Sequence, residues 1–325
     1  MTWIPDQVVD RLRETLASPD LSGTRYRAIR LLGRGGMASV WLAEDTVLDR
    51  QVALKVLEFE DAEGNLATRL LQEARIMASL EHPGIVPVHD AGTLADGRVF
   101  CCMKYVQGET LERQVAGLES ASEGLRLMLR VVEPLAFAHS RGVLHRDLTP
   151  TNIMIGAFGE VLVMDWGLAK EIYRDGKVST EASLGSSGDS VRSRAATTGI
   201  VGTPGFMSPE QVRGETASVR SDIFSLGAVL AFTLAKCAPE GKRYRLRQLK
   251  AICEKAMAAD PAARYDSVEA LAADVANYLE QRTVTAYREN ILERTARLIN
   301  RHSTAIVLVL AYLLMRGLFI LLAKR

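Results

Sequence analysis

His145-Arg146-Asp147-Leu148-Thr149-Pro150-Thr151-Asn152, followed by Asp165-Trp166-Gly167, is the stretch on which the fold of this chain turns. It sets a carboxylate, Asp147, on the same short segment as an amide, Asn152. Both precede a second carboxylate, Asp165, which closes the apolar run Glu160-Val161-Leu162-Val163-Met164. A carboxylate on a loop can accept a hydroxyl proton. An amide oxygen and a second carboxylate can hold Mg2+, which takes few protein oxygens when phosphates supply the others. An isolated Asp ahead of Gly is an ordinary turn residue; the order of the three groups is what sets this stretch apart.

Upstream, Leu32-Gly33-Arg34-Gly35-Gly36-Met37-Ala38-Ser39-Val40 puts glycines where a strand-turn-strand can bring backbone N–H groups against a phosphate with no side chain in the way. No helix pattern opens directly behind it, so it is not a dinucleotide-binding turn. Taken alone it reads equally well as a hairpin without a ligand. Lys55 lies in the alternating strand Val52-Ala53-Leu54-Lys55-Val56. Either it snorkels to solvent from an edge, or it is a cation for phosphates held by a carboxylate. Glu73, bordering the apolar face of the helix around Leu66 to Leu80, is the natural partner.

The rest of the chain frames these residues. At 325 residues and 48 % hydrophobic content it can bury a sizeable core. A net charge of +1 gives no global field to draw it onto nucleic acid. The four cysteines, Cys101, Cys102, Cys237 and Cys253, lack metal-ligand spacing, and no secretory signal precedes them, so they read as reduced, buried thiols. Residues 6–17 place Val8, Val9, Leu12 and Leu16 on one face of a leader helix within 1–25. A strand-rich segment with a turn at Asp96-Gly97 runs from Tyr26 to Val106. Helical periodicity then marks Leu125 to His139, Ser221 to Ala235, Leu246 to Met257 and Val268 to Leu279, with Pro134 expected to kink the first. The Ser-, Gly- and Thr-rich stretch between Lys170 and Gly199 reads as a loop.

Thr304 to Ala323 is almost wholly apolar and about 20 residues long, enough to span a bilayer as a helix. Arg316 inside it costs about 2.5–3.5 kcal/mol on the insertion scale, while about a dozen Ile, Val, Leu and Phe residues return about 0.3–0.6 kcal/mol each. Insertion wins, the alternatives being an interfacial or buried C-terminal helix. Arg288, Arg294, Arg297 and Arg301 precede the segment in a basic stretch, 282–303, whereas only Lys324 and Arg325 follow it. The positive-inside rule then keeps the N-terminal body in the cytoplasm, on a single-pass anchor in the cell membrane.

The joint order of Gly-rich loop, strand lysine, helix glutamate, His-Arg-Asp with Asn, and Asp-x-Gly resembles the bacterial Hanks-type, or eukaryotic-like, serine/threonine protein kinases from about Tyr26 to Gln281. The resemblance implies an α+β, bilobal protein-kinase fold, with a small, mainly β lobe over 26–106 and a large helical lobe over 107–281. It implies transfer of the γ-phosphoryl group of ATP, with Mg2+, to Ser/Thr hydroxyls of protein substrates. Asp147 is then the base, and Asn152 and Asp165 the Mg2+ ligands. Lys55, paired with Glu73, serves the α- and β-phosphates. Residues 32–40, with Ala53 and the hinge Met103-Lys104-Tyr105-Val106, form the nucleotide cleft. Gly202-Thr203-Pro204 through Ser208-Pro209-Glu210 is similar to the end of an activation segment, with Arg264 as the expected partner of Glu210. Arg146 suggests balancing by a phosphate on Thr197, with Thr198 and Ser193 as further candidates, and a homodimer would allow autophosphorylation in trans.

The chain also departs from the family pattern. Ala38 stands at the third glycine and Trp166 in place of Phe. Thr149 replaces the lysine that neutralises the transferring group, a loss of about 10²–10³ in rate for one such donor. Only KCAPEGKRYR separates Ala235 from Leu246, where a longer loop and a further helix are usual. Two readings follow: a membrane-tethered serine/threonine kinase, or a pseudokinase that serves as a nucleotide-binding scaffold.

Overall fold

The computed structural model describes residues 18–35, 38–58, 65–166, 170–171, 205–237, 243–291, 293–295, 307–308 and 311–316. The leader helix, Gly36, Met37, the candidate phosphosites Ser193, Thr197 and Thr198, and most of 304–323 lie outside them.

The first half folds as a five-stranded antiparallel sheet in the order β1-β2-β3-β5-β4, from β1 (Tyr26–Arg34), β2 (Ala38–Asp45), β3 (Arg50–Leu57), β4 (Val88–Thr93) and β5 (Val99–Lys104). Alternation along β2 and β3 sends Trp41, Ala43, Val52, Leu54 and Val56 into one core with Tyr26, Phe100 and Cys102. The other face of β5 carries Cys101 against Leu70 and Ala74 of helix α1 (Asn65–Ser79). Thus α1 packs on β4 and β5 and carries Glu73 toward the sheet. Gly97, at φ +82°, turns β4 into β5, as the Asp96-Gly97 pair predicts.

A short strand β6 (Gly108–Thr110) and the single turn α2 (Leu111–Gln114) lead into the helical half. There, α3 (Ala121–Ser140), α5 (Val219–Lys236), α6 (Arg243–Ala256) and α7 (Val268–Leu279) enclose the main core, and α4 (Pro209–Val212) precedes α5. The helix α3 continues on both sides of Pro134, whose ring seats against Gly84, where a Cβ would come within 3.1 Å. Close approach of α5 and α6 depends on Gly227, since a Cβ there would lie 2.6 Å from that of Ala256. Strands β7 (Val143–Leu144), β8 (Ile153–Gly156) and β9 (Val161–Val163) sit between the lobes, β8 pairing with β6 and β9, and β7 with β10 (Lys170–Glu171). All four cysteines are free and buried.

The architecture is therefore the two-lobed α+β arrangement expected from the sequence. Among the described residues no helix is long and apolar enough to cross a membrane. The described parts of the C-terminal apolar segment, 307–308 and 311–316, are helical and exposed.

Candidate active site

A cleft of about 570 Å³ opens where the two lobes meet. Its roof is the β-lobe: Leu32 and Gly33 of β1, Val40 of β2, Ala53 and Lys55 of β3. Its back is Met103, Lys104, Tyr105 and Val106, and its floor includes Asn152, Met154, Met164 and Asp165. An apolar slot of this size with a few charged groups at one end suits a planar ring system carrying an anionic tail.

The charged end is built from both lobes. Lys55 Nζ donates to Glu73 Oε1 (2.9 Å) and Oε2 (3.1 Å) and to Asp165 Oδ1 (2.9 Å). Register explains the reach: on β3, Val56 and Leu54 point into the sheet's core, so Lys55 between them faces the cleft. Burial alone would push the Lys55 ammonium down, but Asp165 first and Glu73 second hold it above its ordinary value. Asp165 is drawn the other way: burial would raise it, and the facing Lys55 keeps it low and ionised. Burial raises Glu73, with Lys55 opposing. The outcome is a protonated lysine fixed between two lobes by carboxylates.

Below it, the catalytic-type loop is held from beneath by Asp222 of α5. This fully buried carboxylate accepts the backbone N–H groups of His145 (2.9 Å) and Arg146 (2.8 Å) and a hydrogen bond from His139 Nε2 (2.7 Å). Burial opposes its ionisation, yet His139 and the neighbouring donors keep it below the usual carboxylate value. These bonds pin Arg146 at φ +69°, a left-handed conformation that costs about 1–3 kcal/mol for a residue with a side chain. Gln211 Nε2 donates to the carbonyl of the same residue at 2.7 Å. His145 is buried, its Nε2 3.0 Å from the Met164 carbonyl and its Nδ1 accepting from Asp147 N at 3.3 Å. The Trp166 ring lies tilted against His145, centroids 4.7 Å apart at 56°, and its indole N–H reaches the Val163 carbonyl at 3.4 Å. Tryptophan in place of Phe is thus accommodated, with its one donor satisfied.

Asn152 Nδ2 donates to the Asp147 carbonyl at 2.8 Å, which leaves the amide oxygen as the atom available to a cation. Asp165 commits one oxygen to Lys55 and has the second to offer. One carboxylate and one amide oxygen lining the same cleft fit Mg2+, which keeps water and phosphate oxygens in its shell. No cluster of three or more His, Cys, Asp or Glu that could hold a metal occurs among the described residues.

Not every residue expected in the cleft lines it. Ser39 is buried and accepts from the Trp41 indole at 2.9 Å, and Arg34 turns to Glu58 at 2.8 Å. Thr149 is also buried, its hydroxyl 2.8 Å from that of Thr151, and it is Thr151 that reaches the cleft wall. Reading the sequence missed Thr151, as well as Glu109, Glu112 and Arg113 at the mouth. It also missed Asp222 as the support of the loop; an Asp set among the apolar positions of that helix was the available signal. Away from the cleft, Glu210 meets Arg264 as expected, with Oε1 2.7 Å from one guanidinium nitrogen and Oε2 2.8 Å from the other.

Comparison with known proteins agrees with this geometry. The model of the protein kinase domain matches residues 26–294. The serine/threonine-protein kinase PknD of Chlamydia caviae is 36 % identical over 294 residues, covering 79 % of this chain and 31 % of that protein. PknD of Protochlamydia amoebophila is 34 % identical over 297 residues, covering 79 % and 30 %. The chain thus spans about a third of the length of these relatives. The crystal structure of the Mycobacterium tuberculosis PknI kinase domain superposes with a TM-score of 0.59 at 24 % identity, over 80 % of this chain and 98 % of that one, a likeness of fold. With the two lobes, the lysine between two carboxylates and the family match in agreement, the chain belongs to the protein kinase domain family.

Proposed function

We propose that this chain is an ATP-dependent serine/threonine protein kinase, anchored in the cytoplasmic membrane by residues 304–323. The observation that carries the reading is Lys55, held at 2.9 Å from both Glu73 and Asp165 across the lobe boundary. A scaffold that binds no nucleotide phosphates has no need of that arrangement, which buries the Glu73 carboxylate beside Lys55 and the half-exposed Asp165. Similarity to bacterial proteins described as serine/threonine kinases supports the choice of acceptor.

In this reading adenine occupies the slot beside Met103 to Val106, and Lys55 meets the α- and β-phosphates. Asn152 and Asp165 hold Mg2+, which neutralises charge on the phosphates when bound. Asp147 orients the substrate hydroxyl and accepts its proton, while the loop beneath is kept in place by Asp222. Thr197, with Thr198 and Ser193, is the candidate for autophosphorylation, its phosphate balancing the charge of Arg146, a homodimer supplying the second active site. The substrates are proteins, and the tether places the enzyme in membrane-associated signalling.

The second reading, a nucleotide-binding scaffold, is favoured by Thr149, which removes a cation next to the transferring group, and by the short connection between α5 and α6. Phosphate incorporation from labelled ATP and Mg2+ decides between them. Wild type is expected to exceed Asp147→Asn by about 10²–10⁴-fold. Equal incorporation with nucleotide still bound would leave the scaffold.

A further inference from the structure

The stretch that leads from the helical lobe toward the apolar segment is clamped to the protein. Val284 is buried in the main core. Asp274, buried on α7, accepts from Tyr265 Oη (2.9 Å), Thr285 N (2.8 Å), Thr285 Oγ1 (2.8 Å) and Ala286 N (3.0 Å). From this latch the chain runs back along α6. Lys255 Nζ lies 3.5 Å from Thr285 Oγ1, Gln248 Nε2 donates to Glu289 at 2.8 Å, and Arg247 lies 3.5 Å from Glu293. Positions descending along α6 thus meet positions ascending along the tail.

The clamp gathers positive charge on one face. Residues 245–256 and 282–295 hold seven Lys and Arg against three Asp and Glu, whereas the whole chain has 40 against 39. Two of those three acids, Glu289 and Glu293, are engaged in the clamp, Glu293 also accepting from Tyr287 Oη at 3.1 Å. Lys250, 75 % exposed, pairs at the surface with Glu254 at 3.5 Å, and Arg282, 58 % exposed, with Glu280 at 3.0 Å, while Arg288 and Arg294 are exposed beside them. The helix α6 packs chiefly on α5 and α7, so this face lies on the helical lobe rather than on the five-stranded sheet. From Thr295 to Thr304 the chain reaches about 14 Å as a helix and about 30 Å fully extended. A tether of that length lets the basic surface reach the headgroups, where an anionic leaflet attracts it within about 8–10 Å.

We infer that the outer side of α6, with the 282–295 segment, lies on the anionic surface of the membrane that takes 304–323, so that the clamp fixes how the body stands on the bilayer. The inference rests on the anchoring reading above.

The test uses the full chain in phosphatidylcholine vesicles with about 30 % phosphatidylglycerol and a nitroxide-headgroup lipid. A maleimide fluorophore is placed at Glu254→Cys on α6 or at Val47→Cys, an exposed position in the turn between β2 and β3. The native thiols are buried, and burial pushes Cys101 and Cys253 up to about 12, so the introduced thiol takes the label at neutral pH. Quenching at 254 is expected to exceed that at 47 by about twofold or more, and to fall to the same level with Lys250→Glu and Arg288→Glu, in high salt, or without phosphatidylglycerol. Equal quenching of the two labels in a chain that resists carbonate extraction overturns the inference and leaves the anchor standing. Quenching at 254 that survives charge reversal overturns the electrostatic contact. Release of the chain by carbonate overturns the anchor, and the inference with it.

Discussion

At the scale of single residues, Thr149 is the departure that bears most directly on the rate of transfer. Threonine there has an extended backbone, φ −136° and ψ 161°, that a lysine adopts without strain. Its hydroxyl is spent on Thr151, so the substitution removes one local hydrogen bond and adds an ammonium near Asp147. Thr149→Lys is therefore expected to raise phosphate incorporation by about 10–10²-fold, read with labelled ATP at saturating substrate. An unchanged rate would mean that another step limits turnover. Glu210 illustrates the opposite case, a charge whose partner is fully present. Burial would raise its carboxyl, but Arg264 and Ser221 hold it down to about 2 from an ordinary 4.5. A depressed carboxylate stabilises the fold fully above the ordinary value, and that contribution fades as the pH falls from 4.5 toward 2. Glu210→Gln is expected to cost about 3–5 kcal/mol at neutral pH, because Arg264 is left buried without its counter-charge. The loss of stability between pH 5 and 2 should also flatten in the variant, as chemical denaturation at stepped pH will show.

At the scale of elements, the helical lobe depends on close approach and on one polar latch. Gly227 lets α5 lie against α6, and a methyl group would collide with Ala256. Gly227→Ala is expected to lower stability by about 1–3 kcal/mol through overpacking, read from the denaturant midpoint. The latch is Asp274, whose carboxylate faces Tyr265 and two tail residues at once. Burial, and then Asp274 itself, hold the Tyr265 phenol well above its ordinary value, so it remains a donor across the physiological range. Asp274→Asn is expected to cost about 1.5–3 kcal/mol. Faster amide exchange at Thr285 and Ala286, with little change in β3 or β5, would place the loss in the tail rather than in the whole fold.

At the scale of the whole molecule, the two lobes are joined at the cleft by Lys55 and Asp165, and by the parallel bridge between Ile85 and Val163. The proposed anchor adds a third body, the bilayer. Removing residues 304–325 is expected to move the chain from the carbonate-resistant membrane fraction to the supernatant while leaving phosphate incorporation on a soluble substrate within about twofold. Full-length chain in the supernatant would refute the spanning helix.

Much of this protein was settled by the order of its residues. The alternation of Val52 to Val56 determined that Lys55 faces away from the sheet's core, because the strand period is two. Helical spacing located α7 at Val268–Leu279 and most of α3, α5 and α6, since apolar faces must recur every three or four residues to be buried together. The motifs from the Gly-rich loop to Asp165 determined the two-lobed fold. Tertiary structure alone decided which groups meet. Glu73 and Asp165 reach Lys55 from different elements, and Asp222 supports a loop far from it in sequence, distances that no local periodicity encodes. It alone buried Ser39 and Thr149 and put Thr151 on the cleft wall, because a residue's neighbours across a fold set its burial. The basic tail followed the same rule: its charge was legible in the sequence, but the backbone N–H groups that bind it to Asp274 became partners only once α7 and α6 had packed.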